Sequence, residues 1–248
     1  MPAFKDNFSK QAELYLKFRP QYPDGLYTYL ASLTNEHELV WDCGTGNGQA
    51  ALGLAGQYAQ VVATDPSEEQ IRNAFPCKNV RYEVSAAEQS TLPAHSVDLI
   101  TVANALHWFA FDAFYAEADR VLKPGGILAA WCYVTPSGSP EINSLISYLH
   151  DVILGDYWLP ENRLVEKKYS TIPFPYTILE TPIYTIEKYL SCAELEGLFH
   201  TWSAVQRYKD KTGQDPVALI KKDLETAWGN TSDKKMFTWE LTLKVGRK

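Results

Sequence analysis

Residues 40–48 read V-W-D-C-G-T-G-N-G, an apolar strand end that runs into Asp42 and then into three alternating glycines. Glycine permits positive φ angles and leaves no side chain where a backbone passes close to a ligand. A helix is expected to begin just beyond Gly48, and backbone N–H groups at a helix N-terminus face bound nucleotides. The segment therefore predicts a strand–loop–helix unit that holds a nucleotide in an α/β fold.

The ligand chemistry is narrowed by two acids. The Asp42 carboxylate would repel a pyrophosphate and attract a cation, and the dinucleotide fingerprint G-x-G-x-x-G fails because Gln49 occupies its third glycine position. A-Q-V-V-A-T-D ends on Asp65, 23 positions after Asp42, about the interval of roughly 20 residues at which an acid binds ribose hydroxyls. S-adenosylmethionine (AdoMet), which has no phosphate and carries an ammonium and a sulfonium, fits better than NAD. An NAD-dependent oxidoreductase is the weaker alternative.

Helices and strands alternate along residues 10–134. The first five predicted strands are nearly all apolar, which is typical of a parallel sheet covered on both faces. Ligands of such sheets bind at the carboxyl ends of the strands, where Asp42, Asp65, Ala87 and Asn104 fall. The predicted strands are 38–43, 60–64, 80–84, 97–103 and 126–133, and the predicted helices are 10–18, 24–34, 47–57, 67–74, 86–90 and 111–121.

The composition changes after Val134. A turn-rich break at 135–140 is followed by an amphipathic segment, 141–154, and then by a stretch rich in Trp, Tyr and Pro. Such an insert, here 135–181, often forms a lid or one wall of a substrate pocket. The alternation resumes with a strand near 182–189, helices near 192–204 and 215–227, and a last strand, 236–245.

The last predicted strand alternates apolar and polar residues, which favours an antiparallel strand nearer the sheet edge. The elements together predict an α/β fold with a Rossmann-like, doubly wound, seven-stranded sheet, mostly parallel with an antiparallel C-terminal strand, plus the helical insert after strand five. We expect one domain, 1–248. Its parts are an N-terminal helical cover (1–36), a cofactor-binding core (37–134), the insert (135–181) and the C-terminal completion of the sheet (182–248).

Composition excludes several classes of partner. The net charge of −7 disfavours nucleic acid, since Lys and Arg supply most of the affinity for phosphates. No apolar stretch is long enough to span a membrane and no signal peptide is recognised, so a cytoplasmic location is expected. The four cysteines are scattered without C-x-x-C spacing, which predicts neither zinc nor disulfides. A monomer or homodimer is expected.

Further motifs occur in a fixed order along the chain. With the glycine loop, this series resembles class I AdoMet-dependent methyltransferases of the type 11 group, and within that group it is similar to the trans-aconitate methyltransferase-like proteins. The resemblance covers nearly the whole chain. It implies AdoMet as cofactor and a small-molecule acceptor, with carboxyl O-methylation suggested by the narrower similarity. The motifs are Y-L-K-F-R-P-Q-Y-P (15–23), D-P-S-E-E-Q (65–70), A-A-E-Q-S-T-L-P (86–93), V-D-L-I-T-V-A-N-A-L-H-W-F (97–109), L-K-P-G-G (122–126), T-W-S-A-V-Q-R-Y (201–208) and the closing L-T-L-K-V-G-R-K.

The resemblance also implies a cofactor site. Asp42 and the loop backbone would hold the methionine moiety, and Asp65 would bind the ribose, although it could instead cap the following helix. Glu88 would meet the adenine edge, although it could also be a first-turn helix acid. The remaining cofactor residues implied are Gly44, Thr45, Gly46, Asn47 and Gly48 in the loop, Pro66, Ser67, Gln70 and Ala87 around the adenine, and Asn104 and Ala105 near the transferable methyl. Many relatives have Met in place of Gln70 and Gln in place of Asn104.

The acceptor side is less well defined by sequence. His107 could be a general base, could orient an acceptor carboxylate or could contact the cofactor. Trp108 could contact substrate or pack in the core, and Tyr15 and Tyr22 are expected in the N-terminal cover beside the substrate. Arg19 could pair with the AdoMet carboxylate or an acidic acceptor, or hold the cover to the core through an ion pair.

No indispensable catalytic residue is visible in the sequence. Methyl transfer needs chiefly the alignment of a nucleophile with the sulfur–methyl axis. A base is optional when the acceptor is already ionised, as a carboxylate is at neutral pH. The sequence therefore favours a small-molecule methyltransferase and leaves open a non-catalytic sensor or partner subunit that binds AdoMet or S-adenosylhomocysteine.

Overall fold

The structure is a computed structural model, and it describes residues 18–248. One sheet runs through the described part, with strand order β3-β2-β1-β4-β5-β8-β6, and β7 also pairs with β8. The first five strands are mutually parallel, whereas β8 is antiparallel to both β5 and β7. The strands are β1 (Leu39–Cys43), β2 (Gln60–Asp65), β3 (Val80–Val84), β4 (Val97–Ala103), β5 (Leu122–Cys132), β6 (Thr177–Ile178), β7 (Tyr184–Leu190) and β8 (Lys235–Arg247).

The predicted fold class is confirmed, and the seven predicted strands are all present. The additional strand, β6, has two residues and pairs with the end of β8. Strand β5 begins four residues earlier than predicted, because the register against β4 shifts between Val97 and Leu99 and the L-K-P-G-G segment is accommodated there as an irregularity of the ladder. Gly125 in that segment has φ +77°.

The helices flank the sheet, and two helix predictions are wrong. Residues 86–90 form a turn in which the Ser85 hydroxyl donates to the Gln89 carbonyl at 2.7 Å, a local bond that competes with helix formation. The predicted helix 192–204 ends at Phe199, and a separate helix begins at Ser203. The helices are α1 (Asp24–Ser32), α2 (Gln49–Ala55), α3 (Glu68–Arg72), α4 (Phe111–Val121), α5 (Pro140–Ser147), α6 (Asn162–Glu166), α7 (Cys192–Phe199), α8 (Ser203–Thr212) and α9 (Lys221–Trp228). Most of the predicted first helix, 10–18, lies outside the described residues.

Two apolar cores cover the two faces of the sheet. Val40 and Ala129 belong to the first core, and their chain neighbours Trp41 and Leu128 belong to the second. Successive side chains of a strand point to opposite faces, so a central strand must be apolar throughout to fill both cores. This arrangement explains the continuous apolar runs in the sequence.

The insert passes from one face of the sheet to the other. Ile142 and Leu149 near its start pack in the first core, whereas Tyr169 and Ile172 near its end pack in the second. The segment between them, which includes the turn Gly155–Tyr157 and α6, crosses at the carboxyl ends of the parallel strands. The insert is therefore a wall of whatever binds at that edge.

Other features bear on partners. Within residues 18–248, no helix is long and apolar enough to cross a lipid bilayer. In the same range, no group of His, Cys, Asp and Glu side chains is arranged to hold a metal ion. All four cysteines are free thiols.

Candidate active site

A cavity of about 790 Å³ opens at the carboxyl ends of the parallel strands. One side is formed by the glycine loop, the end of β2, the 86–90 turn and the end of β4. The other side is formed by the N-terminal cover, the end of β5, the insert and the start of α8. Its volume lies within the range of roughly 300–1,000 Å³ typical of small-molecule and cofactor sites.

The glycine loop requires glycine for steric reasons. Gly44, Gly46 and Gly48 all have positive φ angles, +69°, +56° and +89°. A Cβ at Gly48 would lie 2.3 Å from the phenolic oxygen of Tyr82, and one at Gly44 would lie 2.6 Å from the Ala105 Cβ. The loop backbone is thus held tightly against Tyr82 of β3 and against Ala105, which follows β4.

Asp42 is placed differently from the prediction. Its side chain is fully buried in β1 and does not line the cavity. One carboxylate oxygen accepts from the Thr45 hydroxyl at 2.5 Å and the other from the Thr101 hydroxyl at 2.7 Å. Burial raises the pKa of Asp42 to about 6, against the opposing effect of these bonds. The carboxylate therefore stands behind the loop rather than at its mouth, because the side chain of a central strand residue points into a core.

Asp65 lines the cavity and ties two segments together. Its Oδ2 accepts from the Gly46 N–H and its Oδ1 from the Ser67 N–H, both at 2.9 Å. The alternative role as helix cap belongs to Ser67, whose side chain accepts from the Gln70 N–H at the start of α3. The ribose role of Asp65 stays a prediction.

The predicted adenine residues all line one region of the cavity. Glu88 is not in a helix, so the alternative role as first-turn acid of its own helix is wrong. Its carboxylate instead accepts from the Ala110 N–H at 2.9 Å, and Ala110 caps α4. An acid at that position interacts favourably with the positive, N-terminal end of the helix dipole. The other lining residues of this region are Pro66, Ser67, Gln70 and Ala87.

Asn104 and Ala105 follow β4 and also line the cavity. Asn104 has φ +54°, a left-handed conformation that Asn tolerates better than most residues. Its N–H donates to the Trp131 carbonyl at 2.7 Å. The structure places Asn104 close to the point where β4 and β5 end.

His107 is buried in a short turn, Leu106–Trp108, and lines the cavity. Its Nδ1 lies 2.9 Å from the phenolic oxygen of Tyr169 in the insert. Burial lowers the pKa of His107 to about 3, so the imidazole is neutral at physiological pH. A general-base role is disfavoured, since an efficient base has a pKa near the working pH. Trp108 is half-buried and forms part of the cavity wall.

The described part of the N-terminal cover contributes two residues to the cavity lining, beside the end of β5. Arg19 donates from Nε to the Thr201 hydroxyl at 2.9 Å and from Nη1 to the Tyr133 hydroxyl at 3.3 Å. Tyr22 packs edge-on against Trp131, with ring centroids 5.4 Å apart, and both Arg19 and Tyr22 line the cavity. The third predicted residue, Tyr15, lies outside the described residues.

The prediction missed several residues that form the far end of the cavity. Their sequence signals were the aromatic-rich insert and the T-W-S-A-V-Q-R-Y motif, neither of which specifies which side chains face inward. These lining residues are Tyr133, His150, Trp158, Glu161, Asn162, Val165, Glu166, Trp202 and Ser203.

Comparison with known proteins gives a consistent result. A family model described as a methyltransferase domain matches residues 41–130. A protein of Dictyostelium discoideum classed as a methyltransferase is 34% identical over 233 residues, which covers 92% of this chain and 88% of the relative. A solved structure from Anaeromyxobacter dehalogenans, classed as a type II methyltransferase, is 40% identical with a TM-score of 0.86, and the match covers 93% of this chain and 98% of the other.

A more distant neighbour limits what the fold alone implies. The cyclase SpnF matches with a TM-score of 0.53 and 19% identity, over 97% of this chain and 94% of its own. A fold at that identity does not determine the reaction, so the assignment depends on the closer relatives. The narrower similarity to trans-aconitate methyltransferases stays a prediction. The chain belongs to the class I AdoMet-dependent methyltransferases, and its cofactor is AdoMet.

Proposed function

We propose that the methyl acceptor is a small molecule that binds in the same cavity as AdoMet, between the glycine loop and the insert. The observation that carries this proposal is the continuity of the cavity. Its lining includes Gly44 to Asn47 on the cofactor side and, on the insert side, Trp158, Glu161, Asn162 and Val165. A macromolecular acceptor would need an exposed face at this edge, and the insert covers it.

Two cavity-lining residues, Asn47 and Asp65, support the binding of AdoMet here. Asn47 lines the cavity, and its side-chain nitrogen is buried without a hydrogen-bond acceptor anywhere in residues 18–248. A buried donor of this kind is costly unless a ligand satisfies it. Asp65 lines the same space, and a carboxylate has about four lone-pair sites that can accept hydrogen bonds. We propose that Asp65 binds the ribose hydroxyls and that Asn47 donates to an acceptor atom of the cofactor.

AdoMet supplies an electrophilic methyl group on a sulfonium that leaves as a neutral thioether. The protein then needs to hold the acceptor in line with the carbon–sulfur bond and to exclude water, and such positioning supplies up to roughly 7–11 kcal/mol. We propose that His107, Trp108 and Asn104 position the acceptor. A neutral His107 orients the acceptor by a hydrogen bond rather than by removing its proton.

Carboxyl O-methylation is the finer reaction that we propose from the resemblance. Among the lining residues within 18–248, Arg19 supplies the permanent positive charge, and a guanidinium matches the geometry of a carboxylate. A carboxylate acceptor would need no base, in agreement with the low pKa of His107.

The test combines cofactor binding with an acceptor panel. Asp65→Ala should weaken AdoMet binding by roughly 10- to 100-fold in calorimetry, the value of one or two charge-assisted hydrogen bonds. Glu69→Ala, which removes an exposed carboxylate on α3 outside the cavity, should leave the affinity unchanged. Equal affinity of native protein and Asp65→Ala would contradict the ribose role.

The acceptor panel is read by mass spectrometry as the gain of one methyl group. It should contain small carboxylates, amines and phenols of graded size, together with a peptide digest and a nucleic-acid mixture. Methylation of small molecules alone supports the proposal. Methylation of peptides or nucleic acid, or of no small molecule in the panel, counts against it.

A further inference from the structure

We propose that the insert end of the cavity binds a cationic nitrogen of the acceptor. This inference rests on the proposed function and extends it from a small molecule to a class of small molecule. It concerns recognition of the acceptor and is independent of which atom receives the methyl group.

Three aromatic side chains form what we call the aromatic corner: His150, Trp158 and Trp202, all of which line the cavity. The His150 and Trp158 rings lie 4.7 Å apart, the His150 and Trp202 rings 5.7 Å apart, and the two Trp rings 5.9 Å apart. Aromatic faces attract cations through the ring quadrupole, and Trp does so most strongly. The corner thus offers two Trp rings to a bound cation.

The aromatic corner is fixed in place before a ligand binds. The Trp158 indole N–H donates to the His150 carbonyl at 3.0 Å, and Trp202 is buried against Phe199 with ring centroids 5.0 Å apart. The His150 Nδ1 lies 2.7 Å from the Asp151 carboxylate, a contact that restricts rotation of the ring. Little rotational entropy is therefore lost when a ligand binds there.

A carboxylate lines the same end of the cavity. Glu161 has one carboxylate oxygen, Oε2, that is buried and accepts no hydrogen bond from any residue between 18 and 248. A buried acceptor without a donor is destabilising, and more so when it is charged. A cationic nitrogen in the cavity would be attracted to the Glu161 carboxylate, whereas an apolar ligand would leave this charge unpaired and an anion would be repelled.

The other charges near Glu161 do not remove this requirement. Arg207 attracts Glu161 electrostatically, but it does not line the cavity, and its Nη1 donates to the Tyr157 carbonyl at 3.2 Å. The second acid of this wall, Glu166, is paired with Arg163 through two contacts of 2.9 Å. Glu161 is therefore the cavity-lining carboxylate that has a buried oxygen without a hydrogen bond from residues 18–248.

The cavity lining also contains a positively charged side chain, Arg19. Arg19 lies beside Tyr133 and Thr201 at the N-terminal cover, whereas Glu161 lies in the insert. A carboxylate near Arg19 and a cationic nitrogen near Glu161 are compatible in one acceptor. The inferred substrate class is a small organic cation or an amino-acid-like zwitterion.

The experiment uses the full-length protein saturated with S-adenosylhomocysteine. Three probes of one shape are titrated by calorimetry: phenylethylammonium, neutral phenylethanol and anionic phenylacetate. We expect phenylethylammonium to bind most tightly. Glu161→Gln should weaken that binding about 10-fold, the value of one charge-assisted hydrogen bond, and should leave phenylethanol unchanged.

The control is Asp156→Asn, which neutralises an exposed carboxylate of the same insert outside the cavity and should change neither affinity. The inference is overturned if phenylethanol binds as tightly as the cation, if phenylethylammonium does not bind, or if Glu161→Gln weakens all probes alike. Binding of S-adenosylhomocysteine is measured first, so that a failure of the cofactor site is distinguished from a failure of this inference. A retained cofactor affinity in Glu161→Gln shows that the variant is folded.

Discussion

The Nδ1 atom of His107 lies 2.9 Å from the phenolic oxygen of Tyr169. His107 follows β4 at the cofactor edge, and Tyr169 is a fully buried residue near the end of the insert. The insert is thus connected to the cofactor side of the cavity by a buried hydrogen bond as well as by apolar packing. The pair fixes the plane of the imidazole, which lines the cavity.

The pH dependence of catalysis distinguishes a positioning role for His107 from a base. Because burial lowers its pKa to about 3, we expect no inflection from His107 in kcat/KM between about pH 5 and pH 8. His107→Gln should reduce kcat/KM by less than about 100-fold, the lower range for loss of a general base being 10²-fold, and should keep the same profile. A profile that loses an inflection near pH 6.5 in the variant would identify His107 as the base.

His107 also makes the stability of the folded protein depend on pH. The unfolded chain binds a proton on His107 near the ordinary pKa of 6.5, whereas the folded state does not until about pH 3. The contribution of His107 to the stability of the folded protein is therefore fully present above pH 6.5 and is lost as pH falls toward 3.

Tyr169→Phe should lower the free energy of unfolding by about 1–3 kcal/mol at neutral pH by leaving the Nδ1 atom of His107 unsatisfied, as measured by urea denaturation. No change would show that Nδ1 has another partner.

Asp42 predicts a different pH effect, on cofactor affinity. Only the ionised carboxylate accepts from both Thr45 and Thr101 with all of its lone pairs available. Because its pKa is about 6, AdoMet affinity should fall as pH decreases through about 6. Asp42→Asn should remove that step, as measured by calorimetry across the same range. A step that persists in Asp42→Asn would assign it to another group.

Asp42 makes stability depend on pH in the opposite direction from His107. The folded-state pKa of Asp42 is raised, so the folded protein holds this proton more tightly than the unfolded chain does. Its contribution to stability is present below about pH 4 and is lost as pH rises through about 6. The charge of Asp42 is therefore maintained at neutral pH at the expense of stability, which is a common property of functional sites.

The sequence predicted the sheet well because the strand signal is local. A strand buried on both faces is apolar throughout, and V-D-L-I-T-V-A became β4 with the predicted bounds. The 86–90 helix failed because five residues carry little periodicity and one serine hydroxyl, that of Ser85, is enough to close a turn. The boundary at Phe199 failed because the chain between α7 and α8 leaves the helix without Gly or Pro.

The site was predicted on one side only. The glycine loop and Asp65 are specified by residues that lie close in sequence, so their geometry follows from spacing. The aromatic corner brings His150 and Trp158 of the insert into contact with Trp202, and such long-range contacts have no local pattern. Asp42 was placed at the loop mouth because its motif shows that an acid is present but not which way its side chain points.

The glycine loop allows a steric test. Gly48→Ala would force a Cβ into a residue at φ +89° and to within 2.3 Å of the Tyr82 hydroxyl. Positive φ alone costs about 1–2 kcal/mol for an L-residue, so the melting temperature should fall by about 4 °C or more, with AdoMet affinity reduced as well. Gly155→Ala, where an added Cβ meets nothing within 4 Å, should leave both unchanged. Equal effects of the two substitutions would contradict the close packing against Tyr82.

Lys123 provides a test at the opposite end of the sheet. Its ammonium contacts the carboxylates of Glu36, Glu38 and Asp98 at 2.7–3.0 Å, and Asp98 is buried. Removing one partner of a buried pair leaves an uncompensated charge, although Asp98 keeps two backbone donors. Lys123→Met should therefore lower the free energy of unfolding by about 2–3 kcal/mol, near the lower limit for a broken buried pair. Lys167→Met, on an exposed lysine of the insert, should cost less than about 0.5 kcal/mol.

Because Lys123 lies far from the cavity lining, AdoMet affinity should be the same in both variants and in the native protein. A reduced affinity in Lys123→Met alone would show that the two ends of the sheet are coupled.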